Sequence, residues 1–114
     1  MLITGFERAT TSHIMRALAW DTLVDGVVCS DEGKEGRPAP DLIQRAMFMA
    51  EVKAAARVLV AGDTVADLQA AARAGAGWIV GVLSGAHNRA QLERHEHSVL
   101  LPSIAELPGW LAEQ

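Results

Sequence analysis

The chain holds a single cysteine, Cys29, so no internal disulfide can brace it. That residue lies in a short apolar run, 27–29, where a small buried side chain fits. No cluster of Lys and Arg occurs, and a formal net charge of −4 argues against a nucleic-acid surface. No apolar run approaches the length that spans a bilayer. The first seven residues lack the basic segment and long apolar core of a signal peptide, so a cytoplasmic protein is expected. There is no internal repeat, no low-complexity tract and no linker rich in Pro or Ser. A Gly-Xaa-Ser-Xaa-Gly elbow is absent too, which leaves serine-hydrolase chemistry without support.

What is present is the balance of a soluble globular protein, half hydrophobic and 21% charged. Its 114 residues fit one domain with a modest core. Elements alternate along the chain. Residues 1–3 read as the end of a strand, and Thr10, Thr11 and Ser12 offer caps for a helix to about 20, with Ile14, Met15 and Leu18 on one face. After a turn at Asp25-Gly26 comes the brief run 27–29. Residues 33–40, with Gly36 and two prolines, form a loop. A helix follows over 41–52, apolar at Leu42, Ile43, Ala46, Met47 and Ala50. Then come a strand at 58–61, a helix over 65–74 closed by Gly75, and a strand at 78–83. A short helix at 90–94, a strand at 99–101 and a last helix over 103–112, with Ile104, Leu107 and Leu111 inward, complete the chain. Strands alternating with helices imply an α/β fold, a mostly parallel sheet covered on both sides.

The run 58–61 reads as a strand buried on both faces. Gly62 turns the chain, so Asp63 stands at the carboxyl end of that strand, where open α/β sheets bind ligands. Asp67, four residues on, can share the same small space, and two hard carboxylates suit Mg²⁺. Asp63 or Thr64 also suits a plain helix cap, and this segment alone leaves both readings open. Thr4 ends the first apolar piece, and Gly5 allows a ligand close to the backbone, as at a phosphate site. Arg37, between Gly36 and Pro38, is a cation on a stiffened loop, with Lys34 as a less restrained competitor. Taken singly, Thr4 can be a chain-terminal residue and Arg37 a solvated one. His95-Glu96-His97 reads as solvated surface, His13 and His87 have no partner visible in the sequence, and the small-residue run 70–77 reads as helix–sheet packing.

In this order these features resemble the haloacid dehalogenase superfamily of phosphohydrolases, and within it the phosphonatase-like hydrolases. Thr4-Gly5 is similar to its phosphate-binding second motif. Arg37 in 36–41 is similar to its third, cationic motif, and Asp63 with Asp67 to its acidic Mg²⁺ motif. The loop 81–85 looks like the one after the last core strand. The resemblance implies a Rossmann-like, three-layer half-domain, residues 1–114 being the C-terminal part of the core. It implies Thr4, Gly5 and Arg37 on phosphate, Asp63 and Asp67 on weakly held Mg²⁺, and a small phosphorylated or phosphonate metabolite as substrate. The superfamily's nucleophile is an Asp-x-Asp motif on a central first strand, followed by a cap that in phosphonatases supplies a Schiff-base lysine. No Asp-x-Asp occurs within these residues. The central strand between the pieces at 1–3 and 58–61 is therefore expected to be missing, and turnover by this chain alone is not expected. A gap there must close within the chain or against another copy, so a homodimer through the 58–61 strand or the N-terminal piece is expected. The alternatives are a non-catalytic oligomeric or partner-binding module with a vestigial site, and a separate chain that supplies the missing half.

Overall fold

Parallel pairing dominates, because every strand is returned to its sheet through an intervening segment rather than a tight hairpin. A computed structural model describes residues 1–114. β1 (Leu2–Ile3) and β2 (Val27–Val28) form a two-stranded parallel pair, Leu2 opposite Val27 and Ile3 opposite Val28. β3 (Leu59–Gly62), β4 (Trp78–Val82) and β5 (Val99–Leu101) form a second parallel sheet with β4 in the middle. The helices are α1 (Arg8–Ala17), α2 (Asp41–Met49), α3 (Val65–Ala74), α4 (Arg89–Leu92) and α5 (Leu107–Ala112).

The pleat sorts the apolar side chains of β4. Ile79 packs with Leu68, Ala70 and Ala71 of α3, Ile43 of α2 and Leu92 of α4. Val80 and Val82 turn to the opposite face with Leu101, joined by Leu107 and Trp110 of α5. Trp110 meets Trp78 edge to face at 5.5 Å between ring centroids, a favoured aromatic geometry. The sheet is thus covered on both faces, as expected of α/β layering. Ala70 and Ala71 are fully buried, and a Cβ at Gly77 would collide with the carbonyl oxygen of Ala56. The small residues of 70–77 let helix and chain approach closely, as expected. α3 starts at a capping box, Thr64 with Asp67, and stops at Gly75 in the left-handed region at φ 79°.

Several boundaries and faces differ from expectation. α1 starts at Arg8, two residues before the expected caps, because Glu7 is the capping position and Thr11 is buried inside the helix. α2 stops at Met49, with Glu51 just beyond it at positive φ. Ile104 and Leu111 are exposed, since the last helix is only six residues long and rests on Leu107 and Trp110. The largest correction concerns β3. It is not buried on both faces: Ala61 is exposed and its neighbours half-buried, because only β4 flanks it. β1 and β3 belong to separate sheets, so the expected gap stays open within this chain. Cys29 is fully buried, as its small size suggested.

Candidate phosphate and metal site

Three connecting segments converge at the carboxyl ends of β1 and β3, and each is tied down by backbone or side-chain bonds. Leaving β1, Thr4 donates its N–H to the Val28 carbonyl at 3.0 Å and its Oγ1 accepts from the Phe6 N–H at 3.1 Å. Gly5 lies against Arg37: a Cβ there would sit 3.6 Å from Nη2. Arg37 Nη1 donates to Asp67 Oδ1 at 2.7 Å. The loop before α2 is thereby joined to the N-terminus of α3.

Asp67 is only 6% exposed, and a carboxylate so placed needs compensating donors. Its Oδ2 accepts from the Asp63 and Thr64 N–H groups at 3.0 and 3.1 Å, and its Oδ1 takes Arg37. Gly62 makes this possible, since a Cβ there would overlap the Asp67 side chain. Asp67 therefore does three things: it completes the cap of α3, fixes the turn after β3, and orients the guanidinium.

Asp63 faces the other way, toward the loop after β4. Its Oδ2 accepts from the Ala86 N–H at 2.9 Å and its carbonyl from the His87 N–H at 3.3 Å. Gly85 gives it room, because a Cβ there would strike the carboxylate. His87 Nδ1 accepts from the Val65 N–H at 2.9 Å, so that nitrogen carries no proton and the ring pins the turn from above. Asp63 Oδ1 has no protein donor and remains free to meet a cation. The helix-cap reading is realised by Thr64, which leaves Asp63 available.

The site thus brings Gly5, Arg37 and Asp67 into contact and places Asp63 one turn away, while Thr4 ends β1 beside Gly5. Two contributors were not visible in the sequence, His87 and the Gly85-Ala86 backbone. Both act through a loop that follows a different strand, and no local pattern signals that. The pair Gly81 and Gly85 flanking β4's end was the nearest cue. Lys34 is exposed and makes no side-chain contact with this site.

A second polar group lies after β2, where ligating atoms of Cys29, Asp31 and Glu32 fall within 4.8 Å of one another. Arg8 already answers it: its Nε donates to Glu32 Oε1 at 2.9 Å, its Nη2 to the Val27 carbonyl at 2.7 Å, and its N–H meets Asp31 Oδ1. Burial pushes the Cys29 thiol above its ordinary value, disfavouring the thiolate that a metal requires. Burial alone would raise Glu32, but the hydrogen bonds from Arg8 and Cys29 and the Arg8 charge together outweigh it and hold the carboxyl below its ordinary value. His95, Glu96 and His97 lie at the surface, His97 bonding only the His95 carbonyl.

A family model described as haloacid dehalogenase-like hydrolase matches residues 1–75. A phosphonoacetaldehyde hydrolase of Parabacteroides distasonis is 32% identical over 75 residues, 66% of this chain and 28% of its own length. A hydrolase from Pseudomonas syringae superposes with a TM-score of 0.80 at 30% identity, over 94% of this chain and 50% of that one. A phosphonoacetaldehyde hydrolase-like protein from Oleispira antarctica gives 0.84 at 18% identity, over 97% of this chain and 49% of that one, a likeness of fold. This chain spans about half the length of the solved structures it matches. With the family match covering residues 1–75 of 114, the chain belongs to the haloacid dehalogenase-like hydrolases.

Proposed function

We propose that this chain carries the phosphate-gripping and cation-facing part of a phosphonatase-like hydrolase site, acting on a small phosphorylated or phosphonate metabolite. The observation that carries this reading is the convergence of Gly5, Arg37, Asp67 and Asp63 at one sheet edge. Arg37 and the backbone at Thr4-Gly5 hold the phosphoryl oxygens, the guanidinium offering a planar fork for them. Asp67 sets the direction of that fork and keeps the turn rigid. Asp63 offers Oδ1 to Mg²⁺. The donor set fits an ion that takes one or two carboxylates and fills its remaining positions with water and phosphate oxygens. Asp67, with its oxygens occupied, stands behind Asp63 rather than beside it. When bound, Mg²⁺ supplies charge stabilisation for a phosphoryl group.

No Asp-x-Asp lies within these residues, so the chain alone is expected to turn over neither phosphate monoesters nor phosphonoacetaldehyde. Binding is the direct test. Mg²⁺ with phosphate should raise the melting temperature by about 2 °C when phosphate equals its dissociation constant. Arg37→Ala should abolish the phosphate part of the shift. A robust hydrolytic rate lost in Asp63→Ala would overturn the no-turnover statement, and no thermal shift at high millimolar phosphate would remove the phosphate site. A second reading, a non-catalytic oligomeric or partner-binding module, is favoured by the open strand edges of β1 and β3.

A further inference from the structure

β3 and β4 end side by side, Gly62 opposite Gly81, so the segments leaving them run next to each other. The first of these, 63–65, carries three successive backbone N–H groups at the start of α3, where no earlier turn of helix supplies carbonyl partners. Side chains answer all three. Asp67 Oδ2 accepts from the Asp63 and Thr64 N–H groups, and His87 Nδ1 accepts from the Val65 N–H at 2.9 Å. The second segment gives two bonds back to Asp63: the His87 N–H to its carbonyl at 3.3 Å and the Ala86 N–H to its Oδ2 at 2.9 Å. A backbone N–H can only donate, so Nδ1 must accept, and the neutral ring keeps its hydrogen on Nε2. Of the three ties between the segments, only the ring bond depends on which side chain the second one carries.

With Oδ2 held by the Ala86 N–H, Asp63 has one oxygen, Oδ1, to turn toward a cation. One carboxylate oxygen suits Mg²⁺, which keeps several waters in a tight octahedral shell, whereas Ca²⁺ takes more ligands and accepts both oxygens of a carboxylate. We propose that His87 is the positioning residue of this cation site. By holding the Val65 N–H it keeps 86–87 against Asp63, restricts that carboxylate to one oxygen, and so favours Mg²⁺ over Ca²⁺. His87 acts through Asp63 and is not itself a ligand. The proposal rests on the hydrolase reading for the cation, and on the hydrogen bonds alone for the clamp. A plain helix cap at residue 87 would add stability and nothing else. Two substitutions separate these roles. Asn carries its amide oxygen at the place of Nδ1, one bond beyond Cγ, whereas Gln carries its own one atom further out.

The experiment compares the full chain as wild type, His87→Ala, His87→Gln and His87→Asn, by amide hydrogen exchange and by Mg²⁺ and Ca²⁺ titrations at fixed phosphate. In His87→Ala and His87→Gln the Ala86 amide should exchange about fivefold faster, beyond any change at Val80 in the centre of β4. The Mg²⁺ dissociation constant should rise about fivefold in both. Ca²⁺ should lose less, which moves the ratio of the two constants about threefold or more toward Ca²⁺. His87→Asn should return the exchange rate, the Mg²⁺ affinity and the ratio to within about twofold of wild type. An Ala86 amide that exchanges no faster in His87→Ala overturns the proposal, and so does an Asn variant that behaves like Gln. Equal weakening of both ions, in step with a lower melting temperature, overturns it too and leaves His87 a helix cap. If the wild type binds Mg²⁺ and His87→Ala binds it as tightly, this proposal alone falls. If the wild type answers neither ion at high millimolar concentration, the cation site of the hydrolase reading falls and the proposal with it.

Discussion

In the three-stranded sheet, β4 has a strand on each side and helices on both faces, and Ile79, Val80, Gly81 and Val82 are all buried. The two-stranded pair is built differently. Only Val28 of its four residues is buried, and polar ties reinforce it: Arg8 to Glu32, Asp31 and the Val27 carbonyl, and Ser30 N–H to the Phe6 carbonyl. β3 sits between these regimes, with the composition of a core strand and the exposure of an edge. The comparison teaches that an apolar run specifies a strand, while its burial is decided by how many neighbours the rest of the chain supplies.

The largest effect should come from the centre of the closed sheet. Ile79, 3% exposed and in one buried cluster with residues of α2, α3 and α4, should cost about 2–5 kcal/mol as Ile79→Ala in urea unfolding. That is a large share of the stability of an ordinary small domain. A loss below about 1 kcal/mol would mean that the β4 core is looser than its packing indicates.

Next is the tie between the two regions. Asp67→Asn removes the charge that meets Arg37 and weakens the acceptor for the Asp63 and Thr64 N–H groups. The Arg37 side chain is 31% exposed, so solvent screens the pair and the loss should be about 1–3 kcal/mol. Asp63→Asn, with one backbone donor on its carboxylate, should cost less in stability yet more of any Mg²⁺-dependent thermal shift. Equal effects of the two substitutions on both readouts would dissolve the division of labour between the carboxylates.

Leu59→Ala sharpens the comparison from the open side. Leu59 lines the cleft between β1 and β3 and only half-buries its side chain against the Val80, Val82 and Leu101 cluster, so truncation should cost about 1 kcal/mol, well under Ile79→Ala. A cost equal to that of Ile79→Ala would show that the cleft is filled in solution.

The same contrast explains what was legible in the sequence. The runs at 58–61 and 78–83, the alanine-rich helix between them and Gly75 carry local signals: continuous apolar character, a cap and a stop. Asp63, Asp67 and Arg37 were legible as candidates because their position at strand and loop ends is itself local. What was hidden is non-local. Whether β3 is flanked on its second edge depends on residues far away in the chain, which is why burial on both faces was the wrong expectation. His87 reaches Val65 across 22 residues, and the start of α1 at Arg8 goes with long-range bonds to Asp31 and Glu32. No periodicity encodes those choices.

The smallest effect should come from the polar ties of the two-stranded region. Against the opposing pull of burial, Arg8 and Cys29 together hold Glu32 below its ordinary value of 4.5. A carboxyl depressed in the folded state favours folding wherever it is ionised in both states, above about 4.5. That contribution is lost as pH falls from 4.5 through the folded value, because the unfolded chain takes up the proton first. The side chains of Arg8 and Glu32 are 46% and 20% exposed, so the stabilisation is modest, under about 1 kcal/mol. Glu32→Gln should therefore lower stability slightly at pH 7, flatten the decline below pH 4.5, and leave the Ile79→Ala cost unchanged, since the two sites share no partner. Urea titrations of the four variants of this double-mutant cycle, at pH 7 and pH 3.5, measure all three. Coupling above about 0.5 kcal/mol between Glu32 and Ile79 would show that the two regions unfold as one polar and apolar unit rather than as differently built halves.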